Sequence, residues 1–282
     1  LVVAFFVFGL GQATFHAQST NLITTAFPTA KGRAMGIHGI GGSIGNFTAP
    51  ILITFLIGLT SWRNATLMLT LPALLVFILL GFWLTEPPRP KKVDEKKFSF
   101  SAHLLFLALN FGLIYMVYVG FLTFLPTYLV ENGATLEQAG RISAFMLFVG
   151  FFAQPLGGLI YDKLGGRFLF GASSLLASLG LFLFTSGTFL PVVVTIALIG
   201  VAATATFPVT LAMASEIAKG NNVGASVGFV FGVSGVLSSF APALTGYTAD
   251  SLGLLQSFRL LIVLAGLAFV VAFFLPKQKL EA

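Results

Sequence analysis

Long apolar runs, almost free of charge, dominate this chain. A hydrocarbon core of about 30 Å is crossed by a helix of roughly 20 apolar residues, and about nine such runs follow one another: Leu1–Phe27, Ala34–Leu59, Asn64–Leu84, Leu104–Val130, Ile142–Tyr161, Phe168–Phe184, Leu190–Ala214, Val223–Tyr247 and Leu260–Leu275. Composition agrees. Hydrophobic residues make up 57% and charged residues 9%, against roughly 25% charged in soluble domains. So few charges cannot cover a water-exposed surface, which excludes an ordinary soluble enzyme, a disordered chain and a nucleic-acid-binding protein. The expected fold is all-α, a polytopic helix bundle whose main partner is the lipid bilayer.

The chain has no cysteine, which excludes a disulfide scaffold and a thiolate metal site. Its three dispersed histidines do not make a metal centre, so neither metal nor cofactor is expected. It opens at Leu1, already inside an apolar run and without Met. We read it as a polytopic protein lacking a preceding part.

One connection differs from the rest. Residues 85–103, TEPPRPKKVDEKKFSFSAH, are charged, proline-rich and without apolar periodicity, the composition of a solvated linker. Residues 1–84 then form one bundle and residues 104–282 another. Basic residues collect in alternate connections: Lys31 and Arg33, the linker, Lys163 and Arg167, Lys219, Lys277 and Lys279. The other connections hold Arg63, Arg141 and Arg259. The positive-inside bias then predicts that the first set, and the C-terminus, are cytoplasmic.

A weak internal repeat runs through both bundles. Ala13-Thr14-Phe15-His16 matches Ala205-Thr206-Phe207-Pro208 at an offset of 192 residues. Gly36 matches Gly228 and Ala49-Pro50 matches Ala241-Pro242 in the same register. Spans one to three thus correspond to spans seven to nine, and spans four to six lack a counterpart. Two related six-helix halves would supply one if three helices preceded Leu1.

Polar residues inside apolar spans are costly and select positions that face the bundle interior. Gln12, His16 and Thr20 recur every four residues and share one helix stripe. His38, Gly42, Gly45 and Asn46 form a second stripe on the next span. His16 and Asn46 each lie 12 residues from the turn between the two spans, about 18 Å at helical rise and so near mid-membrane. Asn110, Tyr115, Tyr118 and Gln154 are the matching candidates in the second bundle. Each candidate could contact a ligand or only hydrogen-bond between helices; His38, nearer the turn, reads as structural or gating. Gly41, Gly42 and Gly45 follow no strand and have no phosphate-binding lysine, so they fail as a nucleotide loop and read as helix-packing positions. Every Asp and Glu lies in a connection or at a helix end. Among residues inside the spans, His16 is therefore the candidate proton carrier, because an imidazole ordinarily titrates near neutral pH; a carboxylate in a preceding helix is the alternative.

The most specific motif is Gly158-Leu-Ile-Tyr-Asp162-Lys163-Leu-Gly165-Gly166-Arg167. An aspartate at a helix end can accept amide hydrogen bonds from the N-terminus of another helix. The run resembles the Gly-x-x-x-Asp-Arg/Lys-x-Gly-Arg/Lys-Arg/Lys signature of the major facilitator superfamily, departing from it at Gly166. The resemblance implies a twelve-helix transporter of which these spans are helices four to twelve. Gly9-Leu-Gly11-Gln12-Ala-Thr-Phe15-His16-Ala17, with Gly32-Arg33-Ala34-Met35-Gly36 and Gly41-Gly42-Ser43-Ile44-Gly45, is similar to helices four and five of fosmidomycin-resistance-type efflux members, though Ala17 replaces their usual proline. Helix five also looks like the antiporter-type Gly-x-x-x-Gly-Pro motif, with Asn46 in place of its proline.

The resemblance implies secondary transport of a small molecule across a bacterial inner membrane by a monomer, with Gly158, Asp162, Lys163, Gly165 and Arg167 as a cytoplasmic gating motif. Proton-coupled export is the expected direction. Uptake of an organic acid or similar metabolite is the alternative, and a polytopic membrane enzyme or receptor is the alternative from another class.

Overall fold

Without water to satisfy it, backbone in a bilayer must bond to itself, and an apolar run does so as a helix. The computed structural model describes residues 7, 11, 15–16, 18–20, 22–83, 100–187, 192–218 and 222–277, with backbone alone at 46, 49–51, 53–54, 58 and 136–137. No strand occurs among the described residues. An N-terminal segment is helical wherever it is described, up to Ala26. Nine helices follow among the described residues: α1 (Lys31–Leu59), α2 (Trp62–Trp83), α3 (Ala102–Glu131), α4 (Leu136–Leu164), α5 (Gly166–Thr185), α6 (Val192–Ala218), α7 (Val223–Ser239), α8 (Ala241–Leu252) and α9 (Leu254–Ala272). Seven described stretches are long and apolar enough to cross a membrane. The chain is an all-α membrane bundle. Most of the linker, residues 84–99, lies outside the described residues.

The helices extend beyond the apolar runs because capping, not hydropathy, sets their ends. α4 starts at Leu136, six residues before Ile142, where Thr135 and Gln138 form a reciprocal capping box. α9 starts at Leu254 and takes in the polar Gln256, Ser257 and Arg259. The eighth run is a broken pair, α7 and α8. Pro242 stands in the first turn of α8; with no amide to donate, it interrupts the ladder, and the chain turns at Phe240. Pro72, Pro126, Pro155 and Pro208 sit inside continuous helices. Gly165 (φ 82°) and Gly253 (φ 85°) make the sharp α4–α5 and α8–α9 connections in a conformation that favours glycine.

Of the seven spans, α3 is the most buried and α2 the least. α3 packs on α7 and α9. Gly112 admits Ser234 and Leu237, and Ser234 Oγ donates to the Ala108 carbonyl at 3.0 Å. At the far end of α3, the rings of Phe121, Phe184 and Phe258 meet edge-on or tilted, with centroids 4.9–5.8 Å apart, and tie it to α5 and α9. α1 lies against α4 over much of its length, and α4 against α6. The described basic residues divide by helix end: Lys31, Arg33, Lys163, Arg167 and Lys277 fall at one end, Arg63, Arg141 and Arg259 at the other. The first is called here the basic end.

Candidate functional site

A cavity of about 580 Å³ opens where the N-terminal segment, α1, α3, α4 and α6 converge. His16, Tyr115, Tyr118 and Gln154, four of the polar residues singled out from the sequence, line it. His38 lines it too, with Phe15, Met35, Thr204, Phe207 and Pro208. The volume falls within the range of small-molecule sites.

Aromatic rings carry His16. Its imidazole stacks on Phe231 at 5.6 Å and 18°, and meets the edge of Phe207 at 5.6 Å. Phe207 continues to Tyr115 at 6.4 Å, and Tyr115 to Tyr118 at 5.7 Å. His16 Nδ1 is buried without a hydrogen-bond partner among the described residues. Gln154 Nε2 donates to Ser43 Oγ at 2.6 Å, while its buried Oε1 has no partner among the described residues. The cavity lining thus sets the polar residues His16, His38, Tyr115, Tyr118 and Gln154 among aromatic rings.

Two further candidates do not line the cavity. Thr20 is buried, and its hydroxyl donates to the His16 carbonyl at 2.7 Å within its own helix. Asn110 is buried on α3 and donates through Nδ2 to the Ala268 carbonyl of α9. Gln12 and the side chain of Asn46 lie outside the described residues.

The packing glycines differ from those expected. A Cβ on Gly41, Gly42 or Gly45 would meet nothing within 4 Å among the described residues; Gly41 and Gly42 instead border the cavity. The α1–α4 seam is made by Gly32, Gly36 and Gly39. A Cβ on Gly32 would come within 2.8 Å of the Gly158 carbonyl, and one on Gly36 within 2.9 Å of the Gln154 carbonyl. Steps of four and three residues keep these three on one face, and Gly41, Gly42 and Gly45 fall off it.

At the basic end, Asp162 reaches across from the last turn of α4. Its Oδ1 accepts the Gly32 amide at 3.0 Å and its Oδ2 the Arg33 amide at 2.9 Å. α1 has no side-chain cap of its own, since Ala30 occupies the N-cap. Asp162 therefore caps a helix to which it does not belong, with a full negative charge at the positive end of the dipole. Gly158 lets α1 approach closely enough for these bonds. Lys163 is exposed beside it. Arg167 Nε donates to the Leu275 carbonyl at 2.8 Å, beyond the end of α9. The motif thus ties together the ends of four helices, α4 to α1 and α5 to α9.

Sequence reasoning did not select Phe207 or Phe231 from 32 phenylalanines, yet the repeat carried a signal for one of them. Phe15 pairs with Phe207 and His16 with Pro208 at the offset of 192, and all four border this cavity.

The family model described as Major Facilitator Superfamily matches residues 1–153 and 107–282, which together cover the chain. The probable nitrate transporter NarT of Staphylococcus epidermidis is 30% identical over 172 residues, covering 58% of this chain and 43% of that protein. The hexuronate transporter of Bacillus subtilis is 23% identical over 286 residues, covering 90% of this chain and 67% of that protein. The chain thus matches less than half the length of the first relative and about two thirds of the second. Neither is named for drug efflux, the subtype suggested by the motif at Gly9–Ala17. The crystal structure of the transporter FucP in the outward conformation superposes with a TM-score of 0.70 at 15% identity, covering 92% of this chain and 73% of that one; it is a match of fold.

Proposed function

Because the chain belongs to the Major Facilitator Superfamily, a family of transporters and not of enzymes, we propose that it moves a small organic solute through the His16 cavity by alternating access, with protons as the coupling ion and export as the direction. The cavity carries this reading. It has the volume of a small-molecule site, and its described lining combines His16, His38, Tyr115, Tyr118 and Gln154 with Phe15 and Phe207. Its Phe and Tyr rings suit a solute with an apolar or planar face. Its described lining holds two histidines, His16 and His38. The Asp162 clamp at the basic end would close one side, and breaking it would let α1 and α4 part. The basic end is the cytoplasmic side in this reading, and residues 1–84 and 104–282 belong to two bundles that rock about the cavity.

Uptake of an organic acid is the second reading, favoured by the name of the hexuronate transporter. A protonated His16 or His38 would be the partner for its carboxylate. The test is solute flux in proteoliposomes holding the purified protein, with the pH gradient imposed in each sense. Export predicts solute movement opposite to the proton gradient, and uptake by symport predicts movement along it. Flux equal with and without a gradient would overturn proton coupling.

A further inference from the structure

Away from this cavity, α5 and α9 part at the basic end to leave a groove of about 510 Å³. Phe168, Ala172 and Leu175 of α5 form one wall, and Phe269 of α9 stands opposite. Gly171 leaves the floor open: a Cβ there would sit 3.8 Å from the Phe269 ring. Both helices are among the membrane-crossing spans, and Phe168, Ala172 and Leu175 are exposed. Arg167 and Lys277 stand together at the helix ends of the groove, and no carboxylate occurs among the described lining residues. Arg167 Nε and Nη2 both donate to the Leu275 carbonyl, which fixes the guanidinium beside α9 and leaves other N–H donors for an outside oxygen.

Such a site is apolar along its length and cationic at one end. Its complement is an amphiphile of the opposite polarity, lying where lipid already surrounds the helices. We infer that the groove binds one anionic phospholipid, with its phosphate held by Arg167 and Lys277 and an acyl chain along Phe168, Ala172 and Leu175. A zwitterionic lipid carries its own cation to the same two residues and is disfavoured.

Native mass spectrometry of the purified full chain, released from detergent holding equal phosphatidylglycerol and phosphatidylcholine, tests this. Two interfacial cations predict a roughly thirtyfold preference for the anionic lipid, and Lys277→Gln should reduce it about fivefold. Arg167→Gln also removes the bonds to Leu275 and could disturb folding. Ala172→Phe supplies an independent arm, since it fills the groove, leaves both cations and should abolish retention. Equal retention of the two lipids by the parent protein would overturn the inference. So would an unchanged preference in both Lys277→Gln and Ala172→Phe. Displacement of bound phosphatidylglycerol by excess glycerol 3-phosphate would identify a free-phosphate site and overturn the lipid assignment.

Discussion

His16 joins an aromatic wall to a nitrogen without a described partner, and the substitution that separates its two possible roles is His16→Gln. Glutamine keeps a hydrogen bond but carries no proton at neutral pH. In the full-length transporter, gradient-driven flux should fall to the level seen without a gradient, while His103→Ala at the start of α3 leaves flux unchanged. Full gradient-driven transport by His16→Gln would reduce the histidine to a neutral contact. Four of the eight polar candidates were legible as cavity residues because a polar side chain in an apolar run needs an interior partner. That rule does not say which partner. Thr20 satisfies its hydroxyl on the His16 carbonyl one turn back in its own helix, and Asn110 finds its partner in a backbone carbonyl of α9. The aromatic wall was hidden for another reason: phenylalanine suits lipid, core and cavity alike.

The α1–α4 pair is held by a seam and a clamp, which fail differently. Gly36→Val places a side chain against the Gln154 and Pro155 backbone and should cost about 1–3 kcal/mol, seen as a lower thermal midpoint in detergent. Gly41→Ala, whose Cβ meets nothing within 4 Å among the described residues, should leave that midpoint unchanged. An equal fall in both would mean that helix flexibility, not the seam, is at stake. Asp162→Asn removes the charge from two hydrogen bonds to the α1 N-terminus; charged hydrogen bonds contribute about 1.5–3 kcal/mol each. Substrate affinity should stay near the parent value while turnover changes severalfold. A loss of affinity with turnover unchanged would refute the gating role. Hydropathy alone made the helices legible, but their ends were not, because caps such as Thr135 with Gln138 lie outside the apolar runs.

Over the whole molecule, the fold was legible from the lengths of the apolar runs and the alternation of basic residues, both consequences of the bilayer. These 282 residues hold no cysteine, so a thiol introduced among them is the only one they carry, and sidedness can be measured by labelling. Lys277→Cys should react with an impermeant maleimide only from the cytoplasmic side, and Arg259→Cys, at the other end of α9, only from the opposite side. Labelling of both from the same side would refute the topology. Met35, buried at the cavity edge in α1, reports the transport cycle: with Asp162 intact, Met35→Cys should resist cytoplasmic reagent, and adding Asp162→Asn should expose it.

The glycine seam also bears on how the gene can vary. Any change in the first or second base of a glycine codon ends in a residue with a Cβ or in a stop. At Gly32, Gly36 and Gly158 that Cβ would enter the neighbouring helix at 2.9 Å or less, so variants among strains at these three codons should be confined to the silent third base. The codon of Gly45, a few residues along the same helix, faces no such contact among the described residues and should vary more freely.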